Sequence, residues 1–213
     1  MFFRLVPRLI LAVLFSAVVL PSLCQTAPAA VETGARLMVG AGASAYHDDF
    51  YGSGVMEGGA FWVNYYPRVG PDLLRGFGLA LEGRDISMNP TSTQPSNLRE
   101  DTASGGAVYS YSSSRLYRFR PYVEFMWGHA SIDFHVGVPH YNHDTRSYRS
   151  GAGGFEYRAW RNVWLRGEYE EQFWQRMFEN PANYTHSGIK MRPRGASLGV
   201  SYSFFNGHHM HTK

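Results

Sequence analysis

Nine charged residues recur at alternate positions along segments that are otherwise rich in Gly, Ser and apolar residues. If these segments are strands, alternate side chains share one face, so the nine charges line the same side of a sheet. A charge enclosed by protein must be paired, because an isolated buried charge is very costly. The predicted interior charge network is Arg36, Glu82, Arg84, Glu124, Glu156, Arg158, Arg166, Glu168 and Glu170.

This network contains four Arg and five Glu and is therefore nearly neutral. Near-neutrality favours a structural set of salt bridges that fills an interior. The alternative is a switchable network that opens a narrow conductance. The structural interpretation predicts that Arg84→Ala or Glu156→Gln changes thermal stability in detergent.

Catalytic chemistry has weak support in the sequence. His129 and Ser131 share a strand face two residues apart, but no orienting carboxylate follows at a useful spacing. The glycine pairs 58–59 and 105–106 precede no helix and so do not form a nucleotide site. We therefore predict no catalytic residue, no cofactor and no enzyme.

Several histidines are predicted to lie at one end of the molecule, where a rim could bind a transition metal or respond to pH. No pair among them has tight ligand spacing, so no metal site is predicted. No metal site is predicted at the C-terminal histidines either, because a polar terminus explains them equally well. These residues are His47, His135, His140, His143 and His186 at the rim, and His208, His209 and His211 in the tail.

The N-terminus has the pattern of a secretory signal peptide over residues 1–24, with cleavage as late as residue 29. A short lead, residues 25–33, would follow. Removal of residues 1–24 deletes Arg4, Arg8 and the only Cys, and lowers the net charge from +3 to +1. A mature chain with this charge offers poor support for a nucleic-acid partner and has no disulfide.

The remaining sequence alternates with a period of two, which is typical of strands. Proline falls at segment ends or between segments, as pairing on both edges requires. Connections after segments two, four and six are short or moderate, whereas those after three, five and seven are long. The eight predicted strands are 35–46, 54–66, 76–88, 104–118, 121–134, 148–159, 162–175 and 194–205.

The composition decides between a soluble and a membrane barrel. The chain has 23 Gly, and only 17% of its residues are charged. Lys occurs only at positions 190 and 213. A solvated outer wall would favour Lys and Glu, whereas a narrow interior filled by side chains suits Gly, Ser and paired charges. The sequence therefore predicts an all-β, eight-stranded antiparallel up-and-down transmembrane β-barrel.

Aromatic residues give the same indication, because rings at both headgroup levels form the girdles of a membrane barrel. The alternative is the ordinary enrichment of aromatic residues in strands. One predicted girdle is Tyr65, Tyr66, Phe77, Tyr117, Phe119, Tyr122, Trp160, Trp164, Tyr202 and Phe204. The other is Tyr46, Phe50, Tyr51, Phe134, Tyr148, Phe173 and Trp174.

The sequence 153–158 (GGFEYR), the tight turn through Trp160 and Arg161, and the sequence 164–169 (WLRGEY) resemble a known family. This family comprises the small outer-membrane barrels typified by the OmpA transmembrane domain and the Opa and OmpX proteins. The resemblance covers about residues 33–205, within the predicted barrel domain 34–205. It implies a location in the bacterial outer membrane and insertion by the barrel-assembly machinery. Family members usually end on the final aromatic residue, whereas here a polar His-containing tail, 206–213, follows.

Together these features predict a barrel with a structural or surface-interaction role in adhesion or envelope integrity. The connections 89–103, 135–147 and 176–193 would present its function outside the cell. Expected partners are outer-membrane lipid, lipopolysaccharide and an extracellular partner. Two alternatives stay open: a lipid A-modifying barrel enzyme similar to the deacylases, and a soluble lipocalin-like barrel that binds an apolar ligand.

Overall fold

The computed structural model describes seven stretches of the chain: residues 35–47, 54–71, 74–88, 98–112, 118–134, 143–177 and 189–204. The predicted signal peptide, lead and tail lie outside these residues. So do residues 89–97, 135–142 and 178–188 of the three long connections. The rim histidines His135, His140 and His186 and the tail histidines His208, His209 and His211 therefore also lie outside the described residues.

Nine strands lie within the described stretches, and a single 3-10 turn, Leu74–Gly76, precedes the third. The short eighth and the ninth strand both pair with the seventh, so together they occupy one position in the wall. The break between them contains Pro193, which cannot donate to a ladder. The strands are β1 Arg36–His47, β2 Val55–Tyr66, β3 Phe77–Met88, β4 Leu98–Ser110, β5 Phe119–Phe134, β6 His143–Trp160, β7 Val163–Met177, β8 Ile189–Met191 and β9 Arg194–Phe204.

The sheet closes on itself because β9 pairs with β1. All strand pairs are antiparallel, and the row of paired residues that starts at Leu37 returns to β1 at His47, ten residues further along. This stagger requires strands tilted by about 40° to the barrel axis. The predicted eight-stranded antiparallel barrel is confirmed.

The two ends of the barrel differ. We call the end with connections 67–76, 111–118 and 161–162 the turn end, and the end with connections 48–54, 89–97, 135–142 and 178–188 the loop end. β5 and β6, with 16 and 18 residues, extend furthest toward the loop end.

The prediction for the fourth strand was wrong. It was expected over 104–118, but β4 is Leu98–Ser110. The charged run Arg99–Asp101 suggested a connection, whereas in the structure it pairs with both β3 and β5. The sixth strand also begins five residues earlier than expected, at His143. The other six barrel strands agree with prediction to within two residues at each end.

The apolar face of the wall points outward. Leu79, Leu81 and Leu198 are 60–68% exposed, although each lies in a strand that is paired on both sides. A soluble barrel that binds an apolar ligand would place such residues inside. The lipocalin-like alternative is therefore wrong. Among the described residues, no helix is long and apolar enough to cross a membrane.

Part of the predicted aromatic girdles is also wrong. Six of these rings are at most 4% exposed and lie in the lumen, because their positions have inward parity on their strands. Outward rings do occur at the turn end, where Tyr65, Phe77, Phe119, Trp160 and Tyr202 are exposed. The six inward rings are Tyr46, Tyr66, Tyr122, Tyr148, Trp164 and Trp174.

Glycine makes room for one large inward ring. The indole of Trp62 lies against Gly40 and Gly199, and a Cβ at either glycine would come within 2.5 Å of it. Trp62 is 2% exposed, and its Nε1 donates to Ser201 Oγ at 2.9 Å. Small residues on β1 and β9 therefore fit the lumen around a large residue on β2.

The lumen contains two clusters of buried apolar residues. Met38, Val108 and Met126 belong to the cluster nearer the turn end. The cluster at the loop end is larger. Its members are Tyr46, Met56, Ile86, Met88, Leu98, Ala130, Ile132, Tyr148, Trp174 and Met191.

Candidate functional site in the lumen and at the loop-end rim

Arg84, an inward residue of β3, is the centre of the first buried charge cluster. Its Nη1 lies 2.7 Å from Glu170 Oε2 on β7, and its Nη2 contacts Glu82. Tyr46 donates its hydroxyl to the same Glu170 oxygen at 2.6 Å, and the guanidinium lies 4.2 Å from the Tyr46 ring centre. One guanidinium therefore joins carboxylates from two strands that are not neighbours in the wall.

Arg166, an inward residue of β7, is the centre of the second cluster. Its Nη2 contacts Glu168 and lies 3.1 Å from Glu124 Oε2 and 3.7 Å from Glu82 Oε2. The guanidinium carbon lies 4.7 Å from the ring centres of both Trp62 and Tyr122. This charge is thus held by carboxylates and by aromatic faces, which also attract cations.

The two clusters share Glu82 and form one central network. Arg84 and Arg166 are joined in it to Glu82, Glu124, Glu168 and Glu170. Oxygens of Glu82, Glu168 and Glu170 lie within 4.8 Å of one another, which is close enough to hold a cation. Arg84 contacts Glu82 and Glu170, and Arg166 contacts Glu82 and Glu168, so the charge that a cation would supply is provided by the protein.

The remaining predicted charges form a separate turn-end layer. Arg36 lies 4.1 Å from the Tyr66 ring centre. Glu156 is 0% exposed, and neither of its carboxylate oxygens has a hydrogen-bond partner among the described residues. Arg158 donates from Nε to the backbone oxygen of Arg161 at 2.7 Å. Six of the nine predicted residues thus come together in the central network, and three lie in this layer.

The turn end is crowded with positive charge. Arg68 lies in connection 67–76 with a φ of 55°, in the left-handed region that non-glycine residues rarely adopt. Burial lowers the pKa of Arg68, and the nearby Arg36 and Arg75 lower it further.

Sequence reasoning missed several inward charges, including Glu100 and Arg120. Glu100 is 0% exposed, and Arg120 lies 3.9 Å from the Trp164 ring centre. Glu100 was hidden by the misplaced fourth strand, although Leu98, Glu100 and Thr102 already share one parity. Arg120 was assigned to a turn, whereas β5 begins at Phe119.

A polar cluster occupies the outward side of β5 and β6 at the loop end. His143 contacts Asp133 through Nδ1, and its Nε2 lies 3.2 Å from Thr145 Oγ1. Ser131 Oγ lies 3.5 Å from His143 Nδ1. The partner of Ser131 is therefore His143 on the neighbouring strand, where the sequence had suggested His129.

A second outward cluster lies on β3 and β4. Arg99 Nη2 is 2.8 Å from Asp85 Oδ2 and 3.2 Å from Asp101 Oδ1. These side chains are about half exposed, so the ion pairs contribute little to stability. They do show that the loop-end part of the wall is polar.

A closed barrel with an apolar outer wall and a charged, filled lumen is a small transmembrane β-barrel. Residues 15–204 match the family of outer membrane protein beta-barrel domains, and the chain belongs to this family. Its place is therefore the bacterial outer membrane. In this class the short turns are periplasmic and the longer loops extracellular.

Solved structures support the fold. Neisserial surface protein A has 14% sequence identity and a TM-score of 0.56, and the match covers 80% of this chain and 97% of that one. Ail, the attachment invasion locus protein of Yersinia pestis, has 11% identity and a TM-score of 0.53, with 79% and 98% covered. Ail in complex with the heparin analogue sucrose octasulfate has 13% identity and a TM-score of 0.50, with 80% and 97% covered. No curated protein matches the sequence.

Proposed function

We propose that this barrel has a structural or surface-interaction role, in adhesion or envelope integrity, and is not a conduit or an enzyme. One observation carries the proposal: the lumen is filled by the central charge network and by the apolar cluster at its loop end. A filled lumen leaves the two ends and the outer wall as the surfaces available for function.

The central network serves as a structural plug in this proposal. Both of its guanidiniums are at most 2% exposed in their side chains and bind carboxylates from several strands. Such buried pairs resist separation, because breaking one leaves a buried charge uncompensated. A switchable network would instead give ion conductance in planar bilayers, which we expect to be absent.

The loop end is the proposed interaction surface. The structure of Ail with a heparin analogue makes sulfated glycans a reasonable first probe for this fold. Lipopolysaccharide is the second expected contact, and the barrel-assembly machinery is the expected partner during insertion.

A complementation experiment separates the structural role from the interaction role. A strain that lacks the protein would receive either the full chain or a chain in which 135–142 and 178–188 are each replaced by Asn-Gly. We expect both chains to restore resistance to detergent, and only the full chain to restore binding to heparin-coated surfaces. A heat-modifiable band in the outer-membrane fraction verifies folding. The proposal would be refuted if the strain that lacks the protein had the same detergent resistance and the same heparin binding as the strain that carries the full chain.

A second candidate function, hydrolysis of lipid A esters, is favoured by one observation. His143 contacts a carboxylate, Asp133, through one ring nitrogen and a hydroxyl, that of Thr145, through the other. A carboxylate, an imidazole and a hydroxyl in contact are the components of nucleophilic acyl transfer. Mass spectrometry of lipid A incubated with the barrel tests this candidate. Acyl release that is lost in His143→Ala would replace the first proposal.

A further inference from the structure

The loop-end part of the outer wall has a basic and an acidic side. Outward positions on β6 and β9 and in the residues before β9 carry Arg149, Lys190, Arg192 and Arg194, all exposed. The corresponding outward positions on β2, β3 and β4 carry Glu57, Asp85 and Asp101, with Arg99 between the two aspartates. We call the first set, Arg149, Lys190, Arg192 and Arg194, the basic strip.

The basic strip is ordered by register and by aromatic contacts. Trp127 pairs with Arg149, and Arg149 pairs with Phe173, so the three side chains follow one row across β5, β6 and β7. The Arg149 guanidinium lies 5.4 Å from the Trp127 ring centre, and that of Arg192 lies 5.5 Å from the Phe173 ring centre. Each ring therefore holds a guanidinium near the wall.

The strip lies at the border of the apolar wall. Toward the turn end, the same strands expose Phe155, Tyr169 and Leu198. Toward the loop end, the outward residues of β5 and β6 are the polar Ser131, His143 and Thr145. An outward Arg is strongly destabilising at the bilayer midplane and nearly neutral near the interface. This border therefore places the strip at the level of the lipid headgroups.

The positive charge of the basic strip suits an anion with several oxygens. Glu171, opposite Arg194 in the register, is the one outward acid on β6, β7 and β9 within the described part of the chain. Arginine binds phosphate through two parallel N–H donors, which suits it to a phosphate group at an interface. An apolar wall directly below the guanidiniums can receive acyl chains, which a soluble phosphate would not require.

We propose that the basic strip binds the phosphate of an anionic lipid headgroup, while the acyl chains of that lipid lie against the wall below it. The site is on the outer wall and is thus separate from the loop surface proposed above. It gives the barrel a preferred lipid on one side, and the acidic side lacks this preference.

Trp127 provides a reporter for this site. Of the five tryptophans, only Trp127 and Trp160 are exposed on the wall, at 61% and 72%, and Trp160 is at the opposite end. In a Trp160→Phe background, the barrel is reconstituted in phosphatidylcholine vesicles that contain phosphatidic acid with brominated acyl chains. Quenching of Trp127 then measures the binding constant of phosphatidic acid relative to phosphatidylcholine.

We expect phosphatidic acid to be preferred by about fivefold or more, since each Arg near an anionic surface contributes about 1 kcal/mol. The triple variant R149Q/R192Q/R194Q should bind the two lipids equally. The single variants R149Q and R194Q should each lose part of the preference, and they provide the test if the triple variant does not fold. The matched control R99Q changes an exposed Arg on the acidic side and should keep the full preference.

Three results would overturn the proposal: equal quenching by both lipids in the parent barrel, full preference in the Arg variants, or loss of preference in R99Q. Loss of preference on addition of millimolar inorganic phosphate would also contradict it, because the site would then take free phosphate. The heparin and detergent tests of the proposed function use the loops, so their outcome is independent of this one.

Discussion

The central network and the turn-end layer are built from the same residue types, Arg, Glu, Tyr and Trp, but they are bonded differently. In the central network, Arg166 reaches three carboxylates and Tyr122 donates to Glu168 at 2.7 Å. In the turn-end layer, the Glu156 oxygens and the Tyr66 hydroxyl have no hydrogen-bond partner among the described residues. The difference shows that burial of charge does not by itself create a rigid network.

This contrast predicts which buried charges stabilise the barrel. A buried polar group with partners in good geometry stabilises the fold, whereas one without partners costs free energy. Substitutions in the central network should therefore be costly, and equivalent substitutions in the turn-end layer should be mild. Four predictions test this difference.

Arg166→Ala should lower the free energy of unfolding by about 3–5 kcal/mol, because it leaves Glu124 and Glu168 buried without their cation. Urea unfolding in lipid vesicles, followed by tryptophan fluorescence, measures the change. Arg36→Ala is the matched control in the turn-end layer and should cost less than half as much. Equal costs would remove the distinction between the layers.

Tyr122→Phe should cost about 1.5–3 kcal/mol, because the lost hydroxyl donates to a buried carboxylate. Tyr66→Phe removes a hydroxyl that has no hydrogen-bond partner in the described structure and should be close to neutral. Both variants keep the ring, so the pair isolates the hydrogen bond. The same urea titrations apply, and a larger loss in Tyr66→Phe would contradict the assignment.

Glu156→Gln should destabilise the barrel by about 1 kcal/mol, because it removes the buried carboxylate of a layer that otherwise contains Arg36, Arg120 and Arg158. Glu168→Gln, its counterpart in the central network, should cost at least twice as much because it weakens contacts with both Arg166 and Tyr122. Thermal unfolding in detergent, followed by the heat-modifiable band, ranks the two. An unchanged midpoint for Glu156→Gln would show that the charge of this residue has no structural role.

Arg99→Gln should have the smallest effect, below about 1 kcal/mol, since its ion pairs with Asp85 and Asp101 are half exposed. Raising the salt concentration should erase even this difference, because exposed charges are screened. A loss as large as that of Arg166→Ala would mean that the loop-end wall is more buried than its exposure indicates.

Much of the architecture could be predicted because alternation is a local property. In β9, inward and outward residues alternate without interruption from Arg194 to Phe204, so the sequence predicted both the strand and its inward face. β4 was not, because Arg99, Glu100 and Asp101 place three charges in succession. Two of them face outward above the apolar band and one faces the lumen, and a sequence window cannot separate these environments.

For the nine charges in the predicted network, alternation indicated the inward face but not the layer to which each belongs. Parity shows that Glu82 and Glu156 both face inward, yet their different layers depend on the stagger between strands, which connects residues far apart in sequence. The inward aromatics failed for a related reason. An aromatic ring such as that of Trp164 is suited both to the lipid headgroup level and to contact with a buried cation. Only the structure shows that the Arg120 guanidinium lies over this ring.

The seam between β1 and β9 makes the folded wall a ring in which no strand is first or last. Leu37 and Phe204 are direct neighbours in this seam, one strand spacing of about 4.8 Å apart. A circularly permuted chain, joined here and opened within 135–142, would therefore build the same wall when refolded in detergent. We expect biogenesis in a cell to differ, because the barrel-assembly machinery proposed above would have to recognise β9 as the closing strand. Such a permutant would separate what the fold requires from what its delivery requires.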